Sequence, residues 1–296
     1  MYERYYGFTE KPFSLTPDPK YLYRSQPHGD AFDLLQYAVR RREGFVVVTG
    51  DIGTGKTTLC RALLEQIDRT TFTALVLNPF LTEEDLLKRI LLDFGVVSRE
   101  ELKQGRLAGV SKQELVDALY DFLLSLIPLK ASAVLIIDEA QNLSVDVLEQ
   151  MRLLTNLETS RRKLLQIILV GQPELAELLE RRELRQLAQR IVARYHLEPL
   201  SKPEISAYVQ HRLEVAGAQR LLIPPSLSAR LFRLSHGVPR LINVLCDRAL
   251  LGAYVQGKER VDRATLAQAA LEVIRQPIPW RRRLLRLFKR RALATA

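Results

Sequence analysis

The run Gly50-Asp51-Ile52-Gly53-Thr54-Gly55-Lys56-Thr57 constrains this chain more than any other feature. It fits G-x-x-x-x-G-K-[ST], a pattern that has a mechanism only between a strand and a helix. The flanks supply both. Gly44-Phe45-Val46-Val47-Val48-Thr49 is β-branched and aromatic, as a buried strand is, and Thr58-Leu59-Cys60-Arg61-Ala62-Leu63-Leu64-Glu65 reads as an amphipathic helix. In that setting the glycines let the main chain curl until successive N–H groups, and the positive end of the helix, face one anion. Residues Gly50 to Thr58 are therefore read as a phosphate cradle. Lys56 would reach the β- and γ-phosphates, and the Thr57 hydroxyl would hold Mg²⁺.

A second element completes the pattern. Val134-Leu135-Ile136-Ile137 is apolar throughout and runs into Asp138-Glu139, two carboxylates at the C-terminal end of a strand, where open parallel sheets bind ligands. Asp138 is expected in the Mg²⁺ shell and Glu139 as the base that orients and deprotonates water. The acidic pair separates a hydrolase from other phosphate-loop proteins. The chain has no Asn-Lys-x-Asp run to read guanine, which points to ATP.

From Gly44 onward strand and helix patterns alternate, which argues a parallel sheet covered on both faces. Strands are expected at Phe45–Thr49, Thr73–Leu77, Ala133–Ile137, Gln166–Val170 and Arg194–Leu197. Helices are expected at Glu83–Phe94, Lys112–Ile127 and Val145–Leu157, with 98–110 as a polar loop. Ahead of the core, Pro12, Pro17 and Pro19 forbid a continuous helix, and an extended arm pinned to the body by its aromatic side chains is expected before a helix from Gly29 to Arg42. After Leu200 only helices follow, at about 203–216, 226–235, 238–256 and 263–275. The first is announced by the capping box Ser201-Lys202-Pro203-Glu204. The expected organisation is an arm and helix over 1–43, an α/β core over 44–200, an all-helical unit over 201–276 and a tail over 277–296.

Charge is concentrated in that tail. Residues 281–296 carry seven basic groups and no acid, so the net charge of +10 falls to +3 over residues 1–280. At helical period Trp280, Leu284, Leu287 and Phe288 share one face of it and the cations the other. An anionic membrane surface, nucleic-acid phosphate and plain solvent are the three candidate surroundings. No apolar run is long enough to span a bilayer, and the N-terminus has no secretory signal. Cys60 and Cys246 lie far apart and form no metal-type cluster, so a reduced, cytoplasmic setting is expected.

Taken together the motifs resemble the AAA+ ATPases of the general secretion pathway A type. The resemblance is carried by Tyr6-Gly7-Phe8, Lys11-Pro12-Phe13, Thr16-Pro17-Asp18-Pro19, Gly44–Gly50, Ile137-Asp138-Glu139-Ala140-Gln141-Asn142-Leu143, Leu169-Val170-Gly171-Gln172-Pro173-Glu174-Leu175 and Gly237-Val238-Pro239-Arg240-Leu241-Ile242-Asn243. It covers about residues 1–275. It implies an α/β P-loop NTPase with a five-stranded parallel sheet and a small all-α lid. It also implies Gln172 as a sensor of the γ-phosphate or attacking water, the alternative being a helix-start residue before Pro173. Arg240 would be a second sensor reaching the γ-phosphate from the lid. Arg190, with Arg194 in reserve, would be an arginine finger serving a neighbouring subunit, which implies a homo-oligomer; surface charge is the alternative. The aromatic arm and His28 would lie near the base. Longer members continue through a membrane span, whereas this sequence stops after its basic tail. A partner in an export machine at the inner membrane face is implied, and DNA, as in related transposition regulators, is the competing partner.

Overall fold

Parallel pairing about the strand that feeds the glycine loop organises the molecule. In the computed structural model, which describes residues 2–42, 44–77, 81–105, 107, 109–155 and 163–273, β1 (Phe45–Thr49) lies inside a five-stranded sheet. The order is β2-β3-β4-β1-β5, with β2 Thr71–Val76, β3 Ser132–Ile137, β4 Leu165–Gly171 and β5 Ile191–His196. Every neighbouring pair is parallel. β1 and β4 are buried along their whole length, which is why they read as unbroken apolar runs.

Two expected strands need correction. β2 starts at Thr71, two residues before the expected start, and ends at Val76, one residue early. β5 starts at Ile191, three residues before Arg194, and ends at His196. β5 is an edge strand whose residues alternate between half-buried and exposed. Its pairing with β1 skips from Ile191 to Ala193 at a bulge. A short alternating run among arginines carries little hydrophobic signal.

Side chains leave β1 alternately to two layers. Phe45 and Val47 join a core built with α4 (Glu83–Asp93), α6 (Lys112–Ser125), α7 (Val145–Leu154) and α8 (Pro173–Leu179). Val46 and Val48 join the opposite layer, with α2 (Gln26–Arg41) and α3 (Lys56–Gln66). α2 begins three residues before Gly29 because Ser25 caps it, its hydroxyl accepting from the His28 N–H. The stretch expected as a loop contains a short helix, α5 (Arg99–Lys103), and the buried Leu107. Ser98 and Glu101 exchange backbone–side-chain bonds of 2.8 and 3.1 Å, a capping box legible in Ser98-Arg99-Glu100-Glu101. The expected ends of α7 and of the last lid helix run into residues outside the described ones, as does the whole tail 277–296.

The lid comprises α10 (Glu204–Val215), α11 (Ser228–Ser235), α12 (Pro239–Val255) and α13 (Arg263–Val273), after a short α9 (Arg185–Ala188) and β5 in the α/β part. The arm is not simply extended. It opens with α1 (Tyr2–Tyr6), and Tyr2, Tyr6, Phe8 and Phe13 are buried in the lid's own core rather than against the sheet. Ser201 does not close the expected reciprocal box. Its N–H and hydroxyl both donate to Glu204, whose other oxygen accepts the Gln26 N–H at 2.9 Å and ties α10 to α2. Among the described residues no helix is long and apolar enough to cross a membrane.

One core position is poorly satisfied. Gln166 in β4 is 3 % exposed, and neither end of its amide has a hydrogen-bond partner. Gln166→Met keeps the length and removes the orphaned groups. It is expected to stabilise the fold by about 1–3 kcal/mol, measured as a raised urea midpoint at unchanged slope; a lower midpoint would mean that the amide is paired.

Candidate functional site

The glycine loop connects β1 to α3, and its geometry depends on glycine at two places. Gly53 and Gly55 have φ of 85° and 103°, a region that side-chain-bearing residues rarely adopt. A Cβ on Gly53 would also stand 2.6 Å from the Cβ of Arg240, so the lid touches the loop directly. The Arg240 N–H, an orphan donor in the first turn of α12, donates to the Gly53 carbonyl at 3.1 Å. Lys56 is 6 % exposed and donates from Nζ to the carbonyls of Gly50 (2.6 Å) and Asp51 (3.0 Å). Burial pushes its pKa down, opposed by the charges of Glu139, Asp138 and Asp51.

The strand ends meet the loop from the side. Asp138 is buried at the end of β3, and its Oδ2 accepts the Thr57 hydroxyl at 2.5 Å. Burial raises its pKa, while the Thr57 hydroxyl and the Glu139 N–H act in the other direction. A hydroxyl beside a carboxylate at the start of the loop helix is an all-oxygen donor pair of the kind a hard, partly hydrated cation takes. Among the described residues no cluster of three or more His, Cys, Asp or Glu offers a different metal site. Glu139 follows in a left-handed conformation (φ 54°) and lines the cleft. Its Oε2 accepts from Gln141 Nε2 at 2.6 Å and from Gln172 Nε2 at 3.1 Å.

Of the sequence-derived residues, Ile52 to Thr58, Glu139 and Arg240 line one cleft. Gly50 and Asp51 stand behind it, bonded to Lys56, as do Asp138, bonded to Thr57, and Gln172, bonded to Glu139. Arg190 and Arg194 do not line it. Arg190 donates from Nη1 to the Arg152 carbonyl (3.1 Å) and the Thr155 hydroxyl (2.8 Å), closing the end of α7, and Arg194 is exposed on β5. His28 lines the cleft beside the loop. Its Nε2 lies 2.8 Å from the Thr54 carbonyl, which can only accept, so Nε2 carries the proton and Nδ1 accepts from Ser25 at 2.6 Å. With both nitrogens engaged, His28 supports the loop. Burial lowers its pKa.

The arm forms the far wall of the cleft with residues 14–18, and two arginines outside any sequence motif hold it there. Arg212 of α10 is 7 % exposed. It donates to the carbonyls of Pro12 (2.7 Å) and Ser14 (3.2 Å) and lies 4.5 Å from the Tyr21 ring centre. Arg61 of α3 donates to the Pro17 carbonyl at 2.8 Å. The strap is therefore anchored to the lid at one end and to the loop helix at the other. Nothing in the local sequence marks Arg212, because its partners are main-chain carbonyls about 200 residues away. Cys60 and Cys246 are buried, and burial pushes both thiols up, as expected of filler side chains.

A phosphate loop on a β2-β3-β4-β1-β5 parallel sheet, followed by a helical lid, defines an AAA+ P-loop NTPase fold. An AAA domain family profile matches residues 39–179. Solved structures share the fold at low identity. The ORC2 protein of Aeropyrum pernix in its ADPNP-ADP complexes superposes with a TM-score of 0.68 at 18% identity, covering 93% of this chain and 74% of that one. Cdc6p of Pyrobaculum aerophilum gives 0.67 at 18% identity, over 89% and 71%. The RuvB Holliday junction branch migration motor of Thermotoga maritima gives 0.57 at 18%, over 84% and 69%. The α/β part of the chain thus carries an AAA domain. The chain is similar to general secretion pathway protein A of Aeromonas hydrophila, to which it is 48% identical over 273 residues, 92% of this chain. It spans about half, 48%, of that relative's length.

Proposed function

We propose that this chain binds ATP with Mg²⁺ in the cleft between loop, sheet and lid and hydrolyses the terminal phosphate. The observation that carries this reading is the convergence of two independent segments. The loop and the start of its helix contribute Lys56 and Thr57, and the end of β3 contributes Asp138 and Glu139, with Thr57 and Asp138 already in contact. The loop amides and Lys56 would hold the phosphates, and Thr57 and Asp138 the cation. The cation, when bound, supplies charge neutralisation on the phosphate oxygens. Glu139 would accept the proton of the attacking water, with Gln172 beside it as sensor. Arg240, whose backbone already meets the loop, would bring a guanidinium from the lid, so that lid angle and nucleotide state are linked. The strap 14–18 would lie against the base.

The reading extends to an oligomer in which Arg190 or Arg194 completes a neighbour's site. For Arg190 this requires release from Arg152 and Thr155, whereas Arg194 is already exposed. The relative's name supports coupling of the cycle to a secretion assembly. The proposal takes in a pilus or polysaccharide-export assembly as related settings, with the protein cytoplasmic and peripheral at the inner membrane face. The basic tail Trp280–Ala296 is the proposed membrane contact. An ATPase assay run alone, with anionic liposomes and with duplex DNA tests this. Liposome stimulation that disappears on deleting 280–296 supports it. Stimulation by DNA alone overturns the membrane assignment in favour of a DNA partner.

A further inference from the structure

Gln141 occupies a position that no role assigned so far explains. It sits in the 3₁₀ turn Ala140–Asn142 that follows Glu139 directly, and Ala140 is buried in the sheet core, which fixes the turn. The Gln141 side chain reaches across to the end of the neighbouring strand, where its Oε1 accepts the Gln172 N–H at 3.0 Å. A backbone N–H can only donate, so the atom facing it must be the carbonyl oxygen, and the NH₂ must point the other way. It points at the Glu139 carboxylate, 2.6 Å from Oε2. One amide thus ties the C-terminal end of β4 to the carboxylate at the end of β3. Gly171 makes room for it, because a Cβ there would stand 2.7 Å from Gln141 Oε1.

Glu139 needs such a brace. Its backbone is in the left-handed region, which sends its side chain away from the course of β3, and only Gln141 and Gln172 donate to its carboxylate among the described hydrogen bonds. Gln172 reaches the same oxygen at 3.1 Å, the longer of the two. Since Gln172 is also the sensor candidate, its side chain cannot serve a phosphate or water and remain a fixed support. Gln141 is held at both ends by protein atoms and can. We propose that Gln141 is a positioning residue that fixes the Glu139 carboxylate for proton abstraction, the registration of β3 against β4 being read out at the base. This rests on the hydrolysis reading above.

The test is turnover and ATP affinity of Gln141→Met, which keeps length and loses both bonds, and of Gly171→Ala, which leaves Gln141 in place chemically but displaces it. Both are expected to lower kcat by about tenfold to a hundredfold, the scale of a misplaced catalytic group, with the Kd for ATP within about twofold of wild type. In a Glu139→Gln background, adding Gln141→Met should lower the residual rate by less than about twofold, because both changes remove the same event. Unchanged or increased kcat in both single variants overturns the proposal, as does an additive loss in the double variant or a loss of ATP affinity that parallels the loss of rate. A wild-type protein that binds ATP without turning it over removes the hydrolysis reading and this proposal with it. A hydrolysing wild type with an indifferent Gln141 removes this proposal alone.

Discussion

Glu139→Gln is expected to bind ATP as tightly as the wild type and to lower the rate of phosphate release by about 10²- to 10⁴-fold, the range for loss of a general base. The amide keeps the size of the carboxylate and can still meet Gln141 and Gln172 through its oxygen, which is the atom both now address. What it cannot do is accept a proton from water. Affinity should hold because the residues that would grip the phosphates, Gly50 to Thr58, are on a different segment, and the nearest carboxylate, Asp138, is untouched and still bonded to Thr57. Single-turnover phosphate release and equilibrium nucleotide binding, measured on the same preparation, separate the two effects. Equal turnover in variant and wild type would remove the base assignment.

Arg212→Ala should be the most damaging change outside the loop. The guanidinium is buried among Phe13, Tyr21 and Tyr208 and satisfies two carbonyls of the arm, so truncation leaves those acceptors unpaired and opens a cavity beneath the strap. The expected loss is about 3 kcal/mol or more, with a fall in Tm of about 6–12 °C. Because residues 14–18 form a wall of the cleft, the affinity for ATP should fall with it. Arg212→Lys should recover only part of either loss, since an ammonium on a flexible stem cannot span both carbonyls as the planar fork does. Differential scanning calorimetry with and without nucleotide measures both. A wild-type Tm in Arg212→Ala would mean that the arm is held by its aromatics alone.

The sequence made the site core readable and left its supports hidden. Gly50–Thr58 and Asp138-Glu139 are local motifs whose spacing carries the chemistry, and the sheet around them is built of buried strands that read as apolar runs. Edge strands were harder, because β2 and β5 have one partner each and alternate in burial. The arm was read as pinned by aromatics, but its attachment to the lid is made by chain ends that meet only in three dimensions, as Tyr2 does in bonding Asp247. Arg212, Arg61 and Ser25 act through main-chain groups, which leave no mark in a linear motif. Gln141 was visible as part of Ile137–Leu143, yet its use depends on where β4 ends. Arg190 illustrates the opposite case: the sequence suggests a role toward another subunit, while within one chain its guanidinium is occupied at the end of α7.

Isothermal titration of ATP with magnesium into the wild-type protein and into Lys56→Ala asks whether the curled loop and the two acidic residues form one pocket for a nucleoside triphosphate and its divalent ion. A saturable heat of binding is expected from the wild type and its loss in Lys56→Ala. No heat from the wild type at millimolar nucleotide, or equal binding by the two proteins, would mean that no such pocket exists.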